Sequence, residues 1–317
     1  MATLGKMFGA GTTDTFMGLP RGDLASFTGG AAILGAGACT SYPSVGAYCA
    51  GGPAAIRAGG AQYAANLGHM NFDLGGPVLP EGAAAVDLGD LPQVDGDGPG
   101  NRARIRAAVA QVLARGGVPL LLGGDDSVPI PMIEAFAAGA EANGRKVTLL
   151  QIDAHVDWRQ EVEGEPLGLS STMRRASEMA HVERIVQVGQ RGIGSARPGD
   201  VADAQAWGVT FVPAREVARE GLARALAAIP EGGEIIVCLD CDALDPGIMP
   251  GVIGRTAGGL GYWDVVELIA GAAARGRIVA FDMVEFMPER DIDGQGALVA
   301  AQLLAAVLGI VARQGQA

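Results

Sequence analysis

The feature that most constrains this chain is a recurring punctuation: short apolar runs, nearly all stopped by a glycine or an aspartate, with helix-like stretches between them. The runs are Ala31–Leu34, Val118–Leu122, Lys146–Ile152, Arg184–Val188, Val209–Val212, Ile235–Leu239 and Ile278–Phe281. They have the length of strands rather than helices. The intervening stretches Asn101–Arg115, Ile130–Asn143, Asp200–Ala206, Ala214–Ile229, Tyr262–Arg275 and Gly296–Val311 read as helices. Asn101 is placed as an N-cap and Gly116-Gly117 as a stop. Alternation of this kind implies βαβ units and a mostly parallel sheet covered on both faces. Strands that are apolar throughout agree with such burial. No boundary interrupts the series, so residues 31–317 are expected to form a single α/β domain, with residues 1–30 wrapping its outside.

Composition narrows the partners. The chain has 317 residues, 49% of them hydrophobic, which is enough for one large core. A formal net charge of -12 speaks against nucleic acid and anionic membranes as general partners. No stretch reaches the roughly 18 uninterrupted apolar residues of a membrane span, and Met1–Ala10 lacks the apolar run of a secretory signal. With reduced thiols, a cytoplasmic location is expected. Cys238 and Cys241 have C-x-x-C spacing inside an apolar run. Residues three apart on a strand face opposite ways, so the two thiols are not expected to meet. Gly35-Ala-Gly37 opens like a dinucleotide fingerprint, but Thr40 stands where its third glycine belongs.

The strand ends carry the chemistry. Ligands of open α/β sheets bind beyond the carboxyl ends of the strands, and there this sequence concentrates its aspartates. Asp153-Ala-His-Val-Asp157 sets Asp153, His155 and Asp157 at alternate positions, hence on one face of an extended segment. Asp240-Cys-Asp242 repeats the device, and Gly124-Asp-Asp-Ser127 adds carboxylates at a third strand end. Clustered, buried carboxylates require cations. Oxygen donors with one imidazole suit manganese or a similar divalent ion. Helix caps and Asx turns are the alternative, and explain Asp126 or Asp245 singly better than they explain two alternating acidic sets.

Taken together these motifs resemble the ureohydrolase (arginase/agmatinase) family. Asp153–Asp157 is similar to its D-A-H-x-D motif, and Leu239–Pro246 contains D-x-D-x-x-D-P. Gly123–Ser127 matches G-G-D-H-S at all but one position. Gly258-Gly259-Leu260 resembles its P-G-G-L segment, and Phe281–Glu285 the stretch ending in a guanidinium-binding Glu. The resemblance, over residues 30 to 312, implies a three-layer α/β/α arginase-like fold and two divalent metal ions, manganese first and nickel as the other choice. One ion would be held by Asp126, Asp153, Asp157 and Asp240, the other by Asp153, His155, Asp240 and Asp242. It further implies hydrolysis of a guanidino C–N bond by water activated between the ions, agmatinase-like, giving urea and an amine. Glu285 would bind the guanidinium, Asp157 would carry the proton, and His155 would serve both metal and catalysis. A homo-oligomer, trimer or hexamer, is implied too.

Three departures from the family's pattern bear on substrate. Asp126 replaces a metal-binding His. Gly168–Arg174 lacks the His that relatives use as a proton shuttle, leaving Ser170 and Ser171 as substrate contacts. Arg255, in Gly254-Arg-Thr-Ala257, would pair with a substrate carboxylate or merely shape its loop. Tyr42, Pro43 and Ser44 are placed over the mouth of the site. Agmatine-like amines, guanidine, guanidino acids and biguanides such as metformin all remain open as substrates. A non-catalytic partner subunit, in a hetero-oligomer with a related chain, is the reading of another class.

Overall fold

The computed structural model describes residues 13–314. Its centre is an eight-stranded sheet, in the order β2-β1-β3-β8-β7-β4-β5-β6, in which every pairing is parallel. The strands are β1 (Gly30–Ala36), β2 (Ala85–Asp90), β3 (Gly117–Gly123), β4 (Val147–Ile152), β5 (Val182–Val188), β6 (Thr210–Val212), β7 (Glu234–Asp240) and β8 (Arg277–Val284). Successive residues of a strand enter different cores. Ile33, Leu120, Leu122, Leu150 and Ile152 face one hydrophobic cluster, while Ala32, Leu34, Leu121 and Leu149 face the other. Helices α1 (Gly52–Gly60), α9 (Tyr262–Arg275) and α10 (Gln295–Gln314) cover the first face. Helices α2 (Gly98–Ala114), α3 (Pro129–Glu134), α5 (Thr172–Ser177) and α6 (Pro198–Trp207) cover the second. The three-layer α/β/α arrangement expected of the sequence is thus present.

Several boundaries differ from the sequence reading, each for a local reason. Strand β2 went unread because its run Ala85-Val-Asp-Leu-Gly-Asp90 contains carboxylates. Asp87 is nevertheless fully buried: its oxygens accept from Arg57 Nε at 2.8 Å and Nη2 at 3.0 Å, and from the Phe16 N–H at 2.8 Å. Helix α2 starts earlier than Asn101. Its N-cap is Asp97, which accepts from the Gly100 N–H, while Asn101 is buried and bonds the backbone of Val94. The stretch 130–143 divides into α3 and α4 (Ala137–Asn143) at a turn that buries Phe136 under the Arg145 guanidinium. The stretch 214–229 divides into α7 (Ala214–Glu220) and α8 (Ala223–Ala228) at Gly221, whose φ of 74° no other residue type adopts readily.

Helix α10, 20 residues with a mean hydropathy of 2.0, is long and apolar enough to cross a bilayer. Here 72% of that stretch is buried against α1, α9 and the sheet, so its apolarity serves the core. The expected outer segment, residues 1–30, lies outside the described residues in its first twelve positions. Phe16 and Met17 beyond them join the cluster around Ile56 of α1. Cys238 and Cys241 enter opposite clusters, and all four thiols are free. Gly35 and Ala36 end β1, and Gly37 leads into a loop, with no helix until Gly52.

Candidate metal centre

The chain skips two places in the sheet between β3 and β4, and fills them last, with β7 and β8. Four neighbouring strands, β3, β8, β7 and β4, therefore end side by side. The residues at or just past those ends are Asp126, Glu285, Asp240 with Asp242, and Asp153 with His155 and Asp157. The β3 turn is pressed against β1: a Cβ on Gly124 would lie 2.0 Å from the Gly37 carbonyl oxygen, so only glycine fits. The Gly124 carbonyl in turn accepts from the Glu285 N–H at 2.8 Å. Of the paired acids in that turn, Asp125 shapes the backbone, bonding Ser127 and the Ser41 hydroxyl. Asp126 is left to face the centre. Asp245 likewise caps its own loop, accepting from Gly247, Gly258 and Gly259 N–H groups.

Two ligand groups result, Asp126 with Asp153 and Asp157, and Asp153 with His155 and Asp242, each with donor atoms within 4.8 Å of one another. Asp153 belongs to both. Asp240 stands beside them in the same cavity, outside either group, its Oδ1 accepting from the Asp242 N–H at 2.6 Å. Gln151, two residues before Asp153 and on the same strand face, donates through Nε2 to Asp153 Oδ2 and Asp157 Oδ2, both at 2.7 Å. Gln187 of β5 donates to Gln151 and so fixes which way its amide points.

The electrostatics test whether cations fit. Burial, then repulsion from Asp157 and Asp153, holds Asp126 well above the usual carboxylate range. Burial and Asp153 do the same to Asp157, and burial and Asp242 to Asp240. Burial also raises Asp242, offset in part by its hydrogen bond with His155. For His155, burial opposes the charged ring, but hydrogen bonds to Asp153 and Asp242 overcome it and push the imidazole up to about 12. Burial tends to raise Asp153 too; its hydrogen bonds with His155 and Asp157 outweigh that and hold it low. One imidazolium cannot balance five carboxylates. Asp126 Oδ2 is moreover buried with no hydrogen-bond partner. Oxygen-rich donors that mutually repel, with an orphaned carboxylate oxygen among them, fit a pair of divalent ions.

The centre borders a cavity of about 250 Å³. Glu285 is in its wall, fully buried, with a left-handed backbone at φ 65°; Asp157 has φ 46°. Non-glycine residues rarely adopt such angles, and those that do cluster at functional sites. Tyr48 hydroxyl lies 2.7 and 2.6 Å from the two Glu285 oxygens, and the Asp126 N–H donates to Oε1 at 2.9 Å. Burial raises Glu285 to about 8 despite the Tyr48 hydrogen bond.

Not every expected residue reaches the cavity. Ser170 lines it, whereas Ser171 is buried behind it with its hydroxyl unpartnered. Arg255 turns away: its Nε donates to the Pro250 carbonyl and its Nη2 to that of Arg290, both at 2.6 Å. These two contacts hold it away from the cavity wall. Tyr42 is buried and accepts from the Ser170 N–H at 3.1 Å; Tyr48 is the tyrosine in the wall. Gln151 carried a signal in the sequence, a polar residue in phase with Asp153 inside an apolar strand. Tyr48, distant in sequence from Glu285, carried none.

The arginase-family profile matches residues 30–309. The chain belongs to the arginase family. It is 31% identical over 268 residues to the mitochondrial agmatinase of Gallus gallus, covering 82% of this chain and 75% of that protein. It is 36% identical over 189 residues to the mitochondrial arginase of Medicago truncatula, covering 59% of this chain and only 53% of the arginase's length. In fold it is similar to formimidoylglutamase from Bacillus subtilis, with a TM-score of 0.80 at 23% identity, covering 96% and 95% of the two chains. Arginase-family proteins are hydrolases of C–N bonds in linear amidines and use a binuclear divalent metal centre.

Proposed function

We propose that this arginase-family chain hydrolyses a C–N bond of a small guanidino compound, agmatinase-like, releasing urea and an amine. One observation carries the reading: ligand groups that share Asp153 and the buried Glu285 carboxylate border a single cavity. Asp126, Asp153, His155, Asp157, Asp240 and Asp242 would hold two divalent ions, manganese by the hardness of the donors, with nickel the other candidate. Such ions acidify water, so that a hydroxide is available at neutral pH. Glu285 binds the guanidinium by charge-assisted hydrogen bonds, held in place by Tyr48 and the Asp126 N–H. Asp157, oriented by Gln151, takes the proton of the attacking water and passes it to the departing nitrogen. Overall, water adds oxygen to the guanidinium carbon, the bond to the substituted nitrogen breaks, and urea and the protonated amine leave. Among the described residues no histidine besides His155 lines the cavity, so Asp157 acts without a histidine relay.

The test pairs elemental analysis with a substrate panel of agmatine, guanidine, guanidino acids and metformin, on protein loaded with manganese or nickel. Two metals per chain and release of urea or ammonia are expected. A fully metallated sample inert across the panel overturns the proposal, and a centre that takes up no metal supports the partner-subunit reading. Phe72, 88% exposed, and Trp263, 55% exposed, flank the Asp73–Tyr262 hydrogen bond and offer an apolar surface for the homo-oligomer we also propose. Light scattering at the monomer mass would refute that. Four free thiols accord with the cytoplasm as location.

A further inference from the structure

We propose that Arg191 is a positioning residue for one ion site only: it fixes the ligand group of Asp153, His155 and Asp242, and leaves the group completed by Asp126 and Asp157 to other anchors. The inference rests on the metal reading above and separates the two halves of the centre. Arg191 lies three residues past β5 and is half-buried. Among the described residues, its side-chain hydrogen bonds all end on backbone carbonyls. Nη2 donates to Asp242 at 2.7 Å and to Leu244 at 3.1 Å, Nη1 to Ala243 at 3.0 Å, and Nε to Thr256 at 3.1 Å. Its own N–H donates at 3.1 Å to the carbonyl of Ala154, which lies between Asp153 and His155. One cation thus joins both segments that supply this ligand group, and ties them to the Gly254–Thr256 loop. That loop abuts the ligands: a Cβ on Gly254 would stand 3.6 Å from His155 Cε1 and 3.7 Å from Asp242 Oδ2.

The kind of acceptor matters. A guanidinium that paired with Asp242 through its carboxylate would compete with a metal for the same oxygens. Arg191 grips Asp242 by the main chain instead, which its five N–H donors in a planar fork make possible. The Asp242 carboxylate stays turned into the ligand group, 3.0 Å from His155 Nδ1 and 3.3 Å from the Ala154 N–H. The other group is anchored from α5. There the Thr172 hydroxyl donates to the Asp126 carbonyl, and the Met173 N–H donates to that of Asp157 at 3.1 Å. The two sites therefore have separate supports, and removing one support should weaken one ion.

The experiment uses full-length protein and manganese alone, and it reads binding rather than turnover. His155→Ala leaves the Asp126 group to hold an ion, and Asp126→Ala leaves the His155 group. Equilibrium dialysis with elemental analysis gives the Kd of the ion that each retains. Adding Arg191→Gln should raise that Kd about 10- to 100-fold in the Asp126→Ala background. In the His155→Ala background the change should be about twofold or less. Arg191→Lys, which keeps the charge and loses the fork, should lie between, and it serves in place of Arg191→Gln if that variant does not fold. In otherwise wild-type protein, Arg191→Gln at limiting manganese should replace the coupled paramagnetic spectrum of an ion pair with the resolved hyperfine spectrum of a lone ion. General damage to the fold would weaken both backgrounds alike. Equal weakening in the two, or none in either, overturns the assignment to Arg191. Wild type that binds two ions and hydrolyses no guanidino compound would leave the assignment standing and sink the hydrolytic reading alone; wild type that binds no ion would sink both.

Discussion

Asp153 is the residue on which the centre turns, because it alone belongs to both ligand groups. Asp153→Ala should therefore reduce the metal content from two ions per chain towards none; full retention by elemental analysis would show the ligand assignment to be wrong. Asp126→His exchanges one ligating side chain for another and should remain folded and metal-bound. Tyr48→Phe removes a hydroxyl donor from Glu285 and leaves the ring in place. A hydrogen bond to a charged group is worth about 1.5–3 kcal/mol, so kcat/KM should drop about 10- to 100-fold; a variant as active as wild type would show that Glu285 needs no such support. The ligands were legible because alternation along a strand converts spacing into a shared face. Tyr48 was not, since 237 residues separate it from Glu285 and only the folded chain joins them. Arg255 illustrates the converse: its place in the sequence was right beside the site, but the loop's own carbonyls claimed its side chain.

Among the elements, the apolar strands could be read directly, and β1 and β3 to β8 fall where the runs placed them. The edge strand β2 could not, because its stability depends on a partner outside itself. Arg57 of α1 pairs with Asp87, buried, and with Asp90, exposed. Burial works against the Arg57 charge, but hydrogen bonds to Asp87 more than compensate and raise its pKa further. Arg57→Ala would strand a fully buried carboxylate, a change that typically costs about 3–5 kcal/mol. Urea unfolding should show a loss of that order, and a loss below about 1 kcal/mol would mean that Asp87 finds other company. The helices that were misplaced had misleading local signals: a side chain at Asn101 that bonds backward rather than caps, and a glycine at 221 that splits one apparent helix into two.

For the whole molecule, the acidic centre couples folding to proton and metal. Burial raises Asp282 and Glu285 to about 8, from ordinary values of 3.8 and 4.5. The folded, metal-free protein thus holds protons that the unfolded chain has released, so their contribution to stability is full below about pH 4 and is lost as pH rises towards 8. His155, raised from 6.5 to about 12, acts in the same direction from neutral pH upward. Metal-stripped protein should melt at a lower temperature at pH 8 than at pH 6, and manganese should raise the midpoint more at pH 8, where fewer protons compete for the ligands. Melting curves at the two pH values, with and without the ion, would expose the opposite order if the cluster were differently charged. The parallel sheet and its covered faces were foreseeable from the alternation of runs. The strand order was not, because nothing local records that β7 and β8 return to the gap left between β3 and β4. That late return means that Asp126 waits for a wall residue 159 positions downstream. A nascent polypeptide still lacking its last two strands also lacks Asp240, Asp242 and Glu285, so the acidic cluster is complete only once β7 and β8 have joined the sheet.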